Sequence, residues 1–349
     1  MSMVVIGIDP HKSSHTAVAV DEAGRKLAQH TVPATPDGLL RLHTWAATCH
    51  PQPRWAVEDG RGIAGRLVRT LIGHGATVVW VPPKLMAKTR ASARTRGKSD
   101  PIDALAIARA ALREPDLPTA HLDQPALELR LLSDRREHLV GRRTAAINQL
   151  RWHLHDLDPA LDPGKASLTG PRRLSRLTAA LTALPAGVRR DLALDLTAEI
   201  TAFGAQIARL EQQLSRQVTA LAPSLLAIVG ISVVTAAKIV GETAGIARFR
   251  SASAFAMHAG TAPIPVWSGN RAQYRLNRGG NRQLNTCVHR VAISQLAHHQ
   301  PARDYRARWM RRRPHTSAKA SLRALKRHLT NAIYRALLTD HQHQLQAAT

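Results

Sequence analysis

Cysteine is nearly absent: Cys49 and Cys287 are the only two in 349 residues. They lie far apart and in no pairing motif, which excludes a disulfide scaffold and a cysteine-rich zinc site and fits a reducing compartment. Aromatic residues make up 3% of the chain, too few for a surface built mainly on stacked bases. No run of about 18 apolar residues is present to span a bilayer, and no basic amphipathic anchor points to a membrane surface. The start, MSMVVIGIDPHKS, runs straight into a strand with no charged leader or cleavage site, so no membrane partner and a cytoplasmic location are expected. Acid is scarce as well. Asp plus Glu is 24 against 49 Lys plus Arg, and residues 221–349 hold 19 basic and 3 acidic side chains. An excess of this size, mostly arginine, predicts a polyanionic partner gripped by its phosphates, and duplex or structured nucleic acid fits best.

What is present is a globular chain. Apolar residues make up 44%, and the length suffices for two or three domains with substantial cores. The first 112 residues alternate strand and helix. VVIGID (4–9), TAVAVD (16–21) and KLAQHTVPA read as three strands, followed by a helix at 37–47 and the strand RWAVED (54–59). GRGIAGRLVRTLIGHG is an amphipathic helix, TVVWVP (77–82) a fifth strand, and a helix from 101 closes the series. This is the element order of an α/β, ribonuclease-H-like domain. The predicted division is 1–115 for that domain, 116–222 for a helical coiled-coil middle, and 223–349 for a basic, mainly α region.

In the middle region, Leu192, Leu196, Ile200, Phe203, Ile207, Leu210, Leu214 and Val218 step by threes and fours, a coiled-coil seam. Leu127, Leu131, Leu139, Ile147, Leu150 and Leu154 form a looser stripe. The two predict either an antiparallel hairpin within the chain or pairing with another copy. The third region opens with PSLLAIVGISVVTAAKIVGE, a helix, a glycine turn and a small-residue helix, which suggests a helix-hairpin-helix element; Gly230 could equally be a helix C-cap. TAPIPVWSGNRAQYRLNRGGNR reads as a loop that becomes helical near Asn281, and RARWMRRRPHTSAKASLRALKRHL as a basic helical arm.

Four carboxylates fall where a metal site needs them. Asp9 ends the first strand, Glu58 ends the fourth, and Asp100 and Asp103 open the last helix, one turn apart. Each also has a plain role: Asp9 precedes a proline, and Asp100 can cap a helix whose first residue is Pro101. In the expected fold the two strands are neighbours and the helix packs across them, so all four oxygens converge. Oxygen donors suit Mg²⁺ or Mn²⁺, and paired ions drive phosphodiester chemistry. Lys84, Lys88, Arg90, Arg94, Arg96 and Lys98 lie in an acid-free stretch beside this cluster, read as a surface loop that steers phosphate. Ser268, among Arg271, Arg275, Arg278 and Arg282, is either a turn residue or a nucleophile whose developing charge those arginines neutralise. Tyr274, Tyr305 and Tyr334 assemble no Arg/His set of a tyrosine recombinase. The 18 histidines show no pairing with cysteine.

GIDPHKSSHTAVAV, AVEDGRGIAGRLVRTLIGHGATVVWVPPKLM, TRGKSDPIDALAIAR, LLAIVGISVVTAAKIVGE and PVWSGNRAQYRLNRGGNRQL together resemble the transposases of the insertion sequence 110 family. The resemblance covers residues 4–112 and 224–296. It implies a RuvC-like domain with a DEDD metal site at Asp9, Glu58, Asp100 and Asp103, a coiled-coil region for oligomerisation into a dimer or tetramer, and a transposase domain bearing Ser268. It further implies a DNA recombinase that cuts and rejoins double-stranded donor and target DNA, guided by a structured bridge RNA, with the serine forming a phosphoserine link in a composite centre with the Mg²⁺ site. Two other readings stand beside it: a RuvC-like structure-specific nuclease that needs only the four acids, and a non-enzymatic nucleic-acid-binding protein.

Overall fold

The computed structural model describes residues 3–58, 63–91, 99–164, 168–268, 271–277, 279–313 and 317–348. The chain divides into two compact units, Met1–Leu122 and Asp123–Thr349.

The first unit runs β1 (Val5–Pro10), β2 (Ser14–Val20), β3 (Lys26–Pro33), α1 (Pro36–Cys49), β4 (Arg54–Glu58), α2 (Gly65–Gly73), β5 (Val78–Val81), α3 (Pro83–Ala91) and α4 (Asp100–Arg113). The sheet order is β3-β2-β1-β4-β5. β1 pairs antiparallel with β2 and β2 with β3, while β1–β4 and β4–β5 are parallel. That is the ribonuclease-H-like arrangement expected from element order.

Both faces of the sheet are covered, which is why the central strands read as continuous apolar runs. Ile6, Ile8, Trp55 and Val57 pack with Leu42 of α1 and Leu67 and Leu71 of α2. Val5 and Ala56 pack with Ala104, Ile107, Ala108 and Ala111 of α4 on the other face. Strand alternation therefore aims Val5, Gly7 and Asp9 toward α4. Alanine on α4 and glycine on β1 let helix and strand approach closely.

Two local expectations are corrected. Residues 83–91, read as surface loop, form α3. α4 takes Ser99 as its N-cap, with no side-chain capping bond, so Asp100 is its first helical residue and Pro101 follows within the first turn.

The second unit runs α5 (Gln124–Leu157), α6 (Pro171–Thr182), α7 (Val188–Leu221), α8 (Pro223–Leu226), α9 (Val233–Thr243), α10 (Ala252–His258), β6 (Pro263–Ser268), β7 (Arg271–Leu276), α11 (Arg282–His298), α12 (Gln300–Arg311) and α13 (Ala318–Ala348). Cross-links Gln217–Glu128, Arg136–Glu211 and Arg189–Asp156 set α5 antiparallel to α7. Leu139, Ala146, Leu150 and Leu154 meet Ala193, Leu196, Ile200, Phe203 and Ile207, with Leu174, Leu177 and Leu181 of α6 completing the cluster. Most of the seam is thus filled within the chain, but Leu192, its first predicted residue, is 44% exposed. Leu131, placed in the stripe from sequence, is 58% exposed, and Leu129 takes the buried position.

Residues 227–232 join α8 to α9, with Gly230 at φ +87° and Ser232 capping α9 through Thr235 N. Residues 263–276, expected as a loop, form an antiparallel hairpin. The expected basic arm is partly core: Leu325, Leu329, Ile333 and Leu337 of α13 are buried with α11 residues Val288 and Val291. No described helix is long and apolar enough to cross a membrane.

Candidate active site

The site begins with Gly7. A Cβ there would lie 2.2 Å from Ala104 O and 2.4 Å from Ala108 N. Only a residue without a side chain lets α4 lie this close to β1, and that contact brings the first turn of α4 to the carboxyl end of the strand. Asp9, two residues on and on the same face, is 8% exposed.

A residue missed by sequence reasoning joins two of the predicted acids. His11 Nε2 lies 3.3 Å from Asp9 Oδ2 and 3.3 Å from Asp100 Oδ1. One ligand atom from each of Asp9, His11 and Asp100 falls within 4.8 Å of the others. Burial raises the Asp9 carboxyl above the ordinary value, His11 partly offsets this, and the nearby Asp103 and Asp100 carboxylates raise it further. Asp103 is itself buried, at 7% exposure.

Glu58 ends β4, one residue beyond the Ile8–Val57 pair. Alternation from Ala56 turns it to the α4 face, the face of Asp9. The fold therefore carries all four predicted acids on adjoining elements: two neighbouring strand ends and the start of the helix across them. A half-buried cluster of carboxylates with one imidazole beside it suits a divalent, oxygen-preferring ion.

The basic residues are less uniform. Lys88 is exposed on α3. Arg94, Arg96, Lys98 and Arg278 lie outside the described residues, as do the side chains of Lys84, Arg90, Ser268 and Arg271. Ser268 is the last residue of β6 and pairs with Arg271. Arg275 stands opposite Ile264, about 13 Å along the strand from Ser268 at the usual strand rise. The register thus sets Arg271 across from the serine and Arg275 toward the hairpin's root. Arg282 is exposed in the first turn of α11. There Asn281 caps Leu284 N and donates to Glu242 Oε2 at 2.5 Å.

Two family models match the chain. One, for the DEDD transposases of IS110 and described as Transposase, covers residues 6–159. The other, described as Transposase IS116/IS110/IS902 family, covers residues 222–307. The chain is 27% identical to the Insertion element IS116 uncharacterized 44.8 kDa protein of Streptomyces clavuligerus, over 86% of each chain. It is 28% identical to the Insertion element IS900 uncharacterized 42 kDa protein of Mycobacterium paratuberculosis, over 96% of this chain and 95% of that one. Among solved structures, T. thermophilus RuvC in complex with Holliday junction substrate matches 34% of this chain and 99% of its own, at 19% identity and a TM-score of 0.27; the fold assignment rests on strand order instead. With both domains matched in sequence order, the chain belongs to the IS116/IS110/IS902 family of transposases, enzymes of DNA transposition.

Proposed function

We propose that this transposase cuts and rejoins donor and target DNA by using Asp9, Glu58, Asp100 and Asp103 as a divalent-metal site and Ser268 as nucleophile, with a structured bridge RNA selecting the DNA and a homo-oligomer as the working form. A DEDD domain implies divalent-metal use. The observation that carries the assignment to these residues is the burial of Asp9 among like charges, which a bound cation relieves. Such a cation supplies Lewis-acid stabilisation of a phosphoryl oxygen.

The chain's own groups do the rest. The acids fix position and charge at the carboxyl ends of β1 and β4 and the start of α4. Ser268 Oγ attacks phosphorus, an Oγ–P bond forms, and the P–O bond to the leaving sugar oxygen breaks. The seryl proton leaves with general-base help, and the departing oxygen is reprotonated. Attack by the hydroxyl of the other strand reverses these steps and releases the serine. Arg271, across the hairpin from Ser268, neutralises charge gathering on the phosphoryl oxygens.

The test incubates the protein and its copurifying RNA with donor and target DNA and Mg²⁺, then resolves products on a denaturing gel. A covalent protein–DNA band present in the wild type and lost in Ser268→Ala is expected, with cutting lost in Asp9→Ala. Clean cuts that survive Ser268→Ala replace the serine reading with a hydrolytic nuclease. Unchanged activity after ribonuclease treatment removes the RNA guide.

A further inference from the structure

The residues beyond 300 have no role in the reaction above, yet they help to line a cavity. α12, α13 and the root of the β6–β7 hairpin line an open recess of about 460 Å³, within the roughly 300–1,000 Å³ of pockets that hold small ligands. The whole chain has 3 tyrosines and 6 tryptophans. Tyr274, Tyr305 and Trp309 all line this one space. His328 stacks on one face of Tyr305 with ring centroids 4.8 Å apart and planes 24° off parallel, and the Arg313 guanidinium lies over one face of Trp309 at 4.9 Å, so a flat ring would meet the opposite faces.

The cavity's charge is one-sided. Five Lys or Arg side chains line it, and no carboxylate does among the described residues. Two of the five are half-buried and bonded to neutral groups. Lys326 Nζ donates to Asn285 Oδ1 at 2.6 Å. Arg327 donates to Asn331 Oδ1 and to Ser253 Oγ. Burial holds both cations below their ordinary pKa values. Concentrating desolvated positive charge without a counter-ion is unfavourable, and a bound anion reverses the sign of that contribution.

Aromatic side chains in one recess with Lys326 and Arg327, both bonded to neutral groups, match a base and its phosphate together. A base inside a duplex offers no free face and cannot enter the recess, whereas an extruded or single-stranded one can. We propose that this cavity binds one unpaired nucleotide of a DNA or RNA strand, its base against Trp309 and Tyr305 and its phosphate at Lys326 and Arg327. The site needs neither the serine step nor the RNA guide. It adjoins Tyr274, six residues beyond Ser268 and opposite Pro265 on β6, so a strand held there is anchored at the root of the hairpin that carries the serine.

The experiment uses the full-length chain and fluorescence anisotropy. Four probes are compared: a DNA duplex, the same duplex with one unpaired central nucleotide, and their RNA counterparts. The wild type is expected to bind at least one bulged probe more tightly than its paired partner. Trp309→Ala reduces binding of that probe about tenfold, the scale of one lost base–aromatic stack, and leaves the paired probe unchanged. Trp309→Phe restores most of the loss. Tyr274→Ala, at a side chain 63% exposed, gives a second variant with little risk to folding, and circular dichroism checks both. A gain confined to DNA or to RNA identifies the strand. Equal binding of bulged and paired probes by the wild type, or an equal loss on both in Trp309→Ala, overturns the proposal.

Discussion

Gly7 of β1 lies against the backbone of Ala104 in α4, so closely that a methyl group at Gly7 would sit 2.2 Å from the Ala104 carbonyl oxygen. The contact is with main chain, so no rotamer change relieves it.

Gly7→Ala therefore pushes α4 off the sheet and carries Asp100 and Asp103 away from Asp9. Overpacking of this kind typically destabilises by about 1–3 kcal/mol. The expected result is a lower melting temperature together with loss of Mg²⁺-dependent cutting. Ala104→Gly added to it does not rescue, because the clash is with the carbonyl oxygen.

Asp9 links stability to pH with a definite sign. Burial first, then Asp103 and Asp100, raise its carboxyl above the ordinary 3.8. The folded state therefore binds the proton more tightly than the unfolded one, and stability falls as pH rises from 3.8 through the raised value. Asp9→Asn removes that penalty. Without divalent ions at neutral pH the variant should melt higher than the wild type, while cutting falls by more than the roughly 10- to 100-fold typical of a lost outer-shell partner. Mg²⁺ at about 100 times its dissociation constant adds about 2.7 kcal/mol to the wild type and much less to the variant. A variant that melts lower and still cuts would leave Asp9 a purely structural role at the end of β1.

Much of the first unit was legible because its strands are buried on both faces and announce themselves as β-branched runs. α3 was not: PKLMAKTRA carries scattered charge and no apolar stripe, and its start at Pro83 was the available signal. The hairpin was missed although Ile264 and Val266 alternate with more exposed residues and Gly269-Asn270 separates the strands, a pattern of hairpin connections. In α5 the phase of the buried face is carried partly by Ala126, Ser133 and Ala146, which a search for leucines overlooks. His11 and Gly7 gain their roles only when residue 100 is folded back onto residue 9.

The α5–α7 seam makes a third stability prediction. Leu150 is fully buried against α7 and α6, and Leu150→Ala should destabilise by about 2–5 kcal/mol. Because the seam closes within one chain, the shift in melting temperature should be the same across a hundredfold range of protein concentration. A concentration-dependent shift would mean that the seam is shared between copies.

Arg271 and Arg275 separate chemistry from grip. The hairpin register places Arg271 opposite Ser268 and Arg275 opposite Ile264, where it also lines the cavity. On the proposed reaction, Arg271→Ala lowers the cutting rate by about 10²–10³ with little change in DNA affinity, as when one donor to a developing oxyanion is removed. Arg275→Ala instead weakens binding and reduces the slope of log affinity against log salt by about one, with the rate at saturating DNA nearly intact. Single-turnover rates and salt titrations on the two variants measure both effects. If the losses are exchanged, with Arg275 governing rate and Arg271 governing the salt slope, the serine is not reacting at the end of β6.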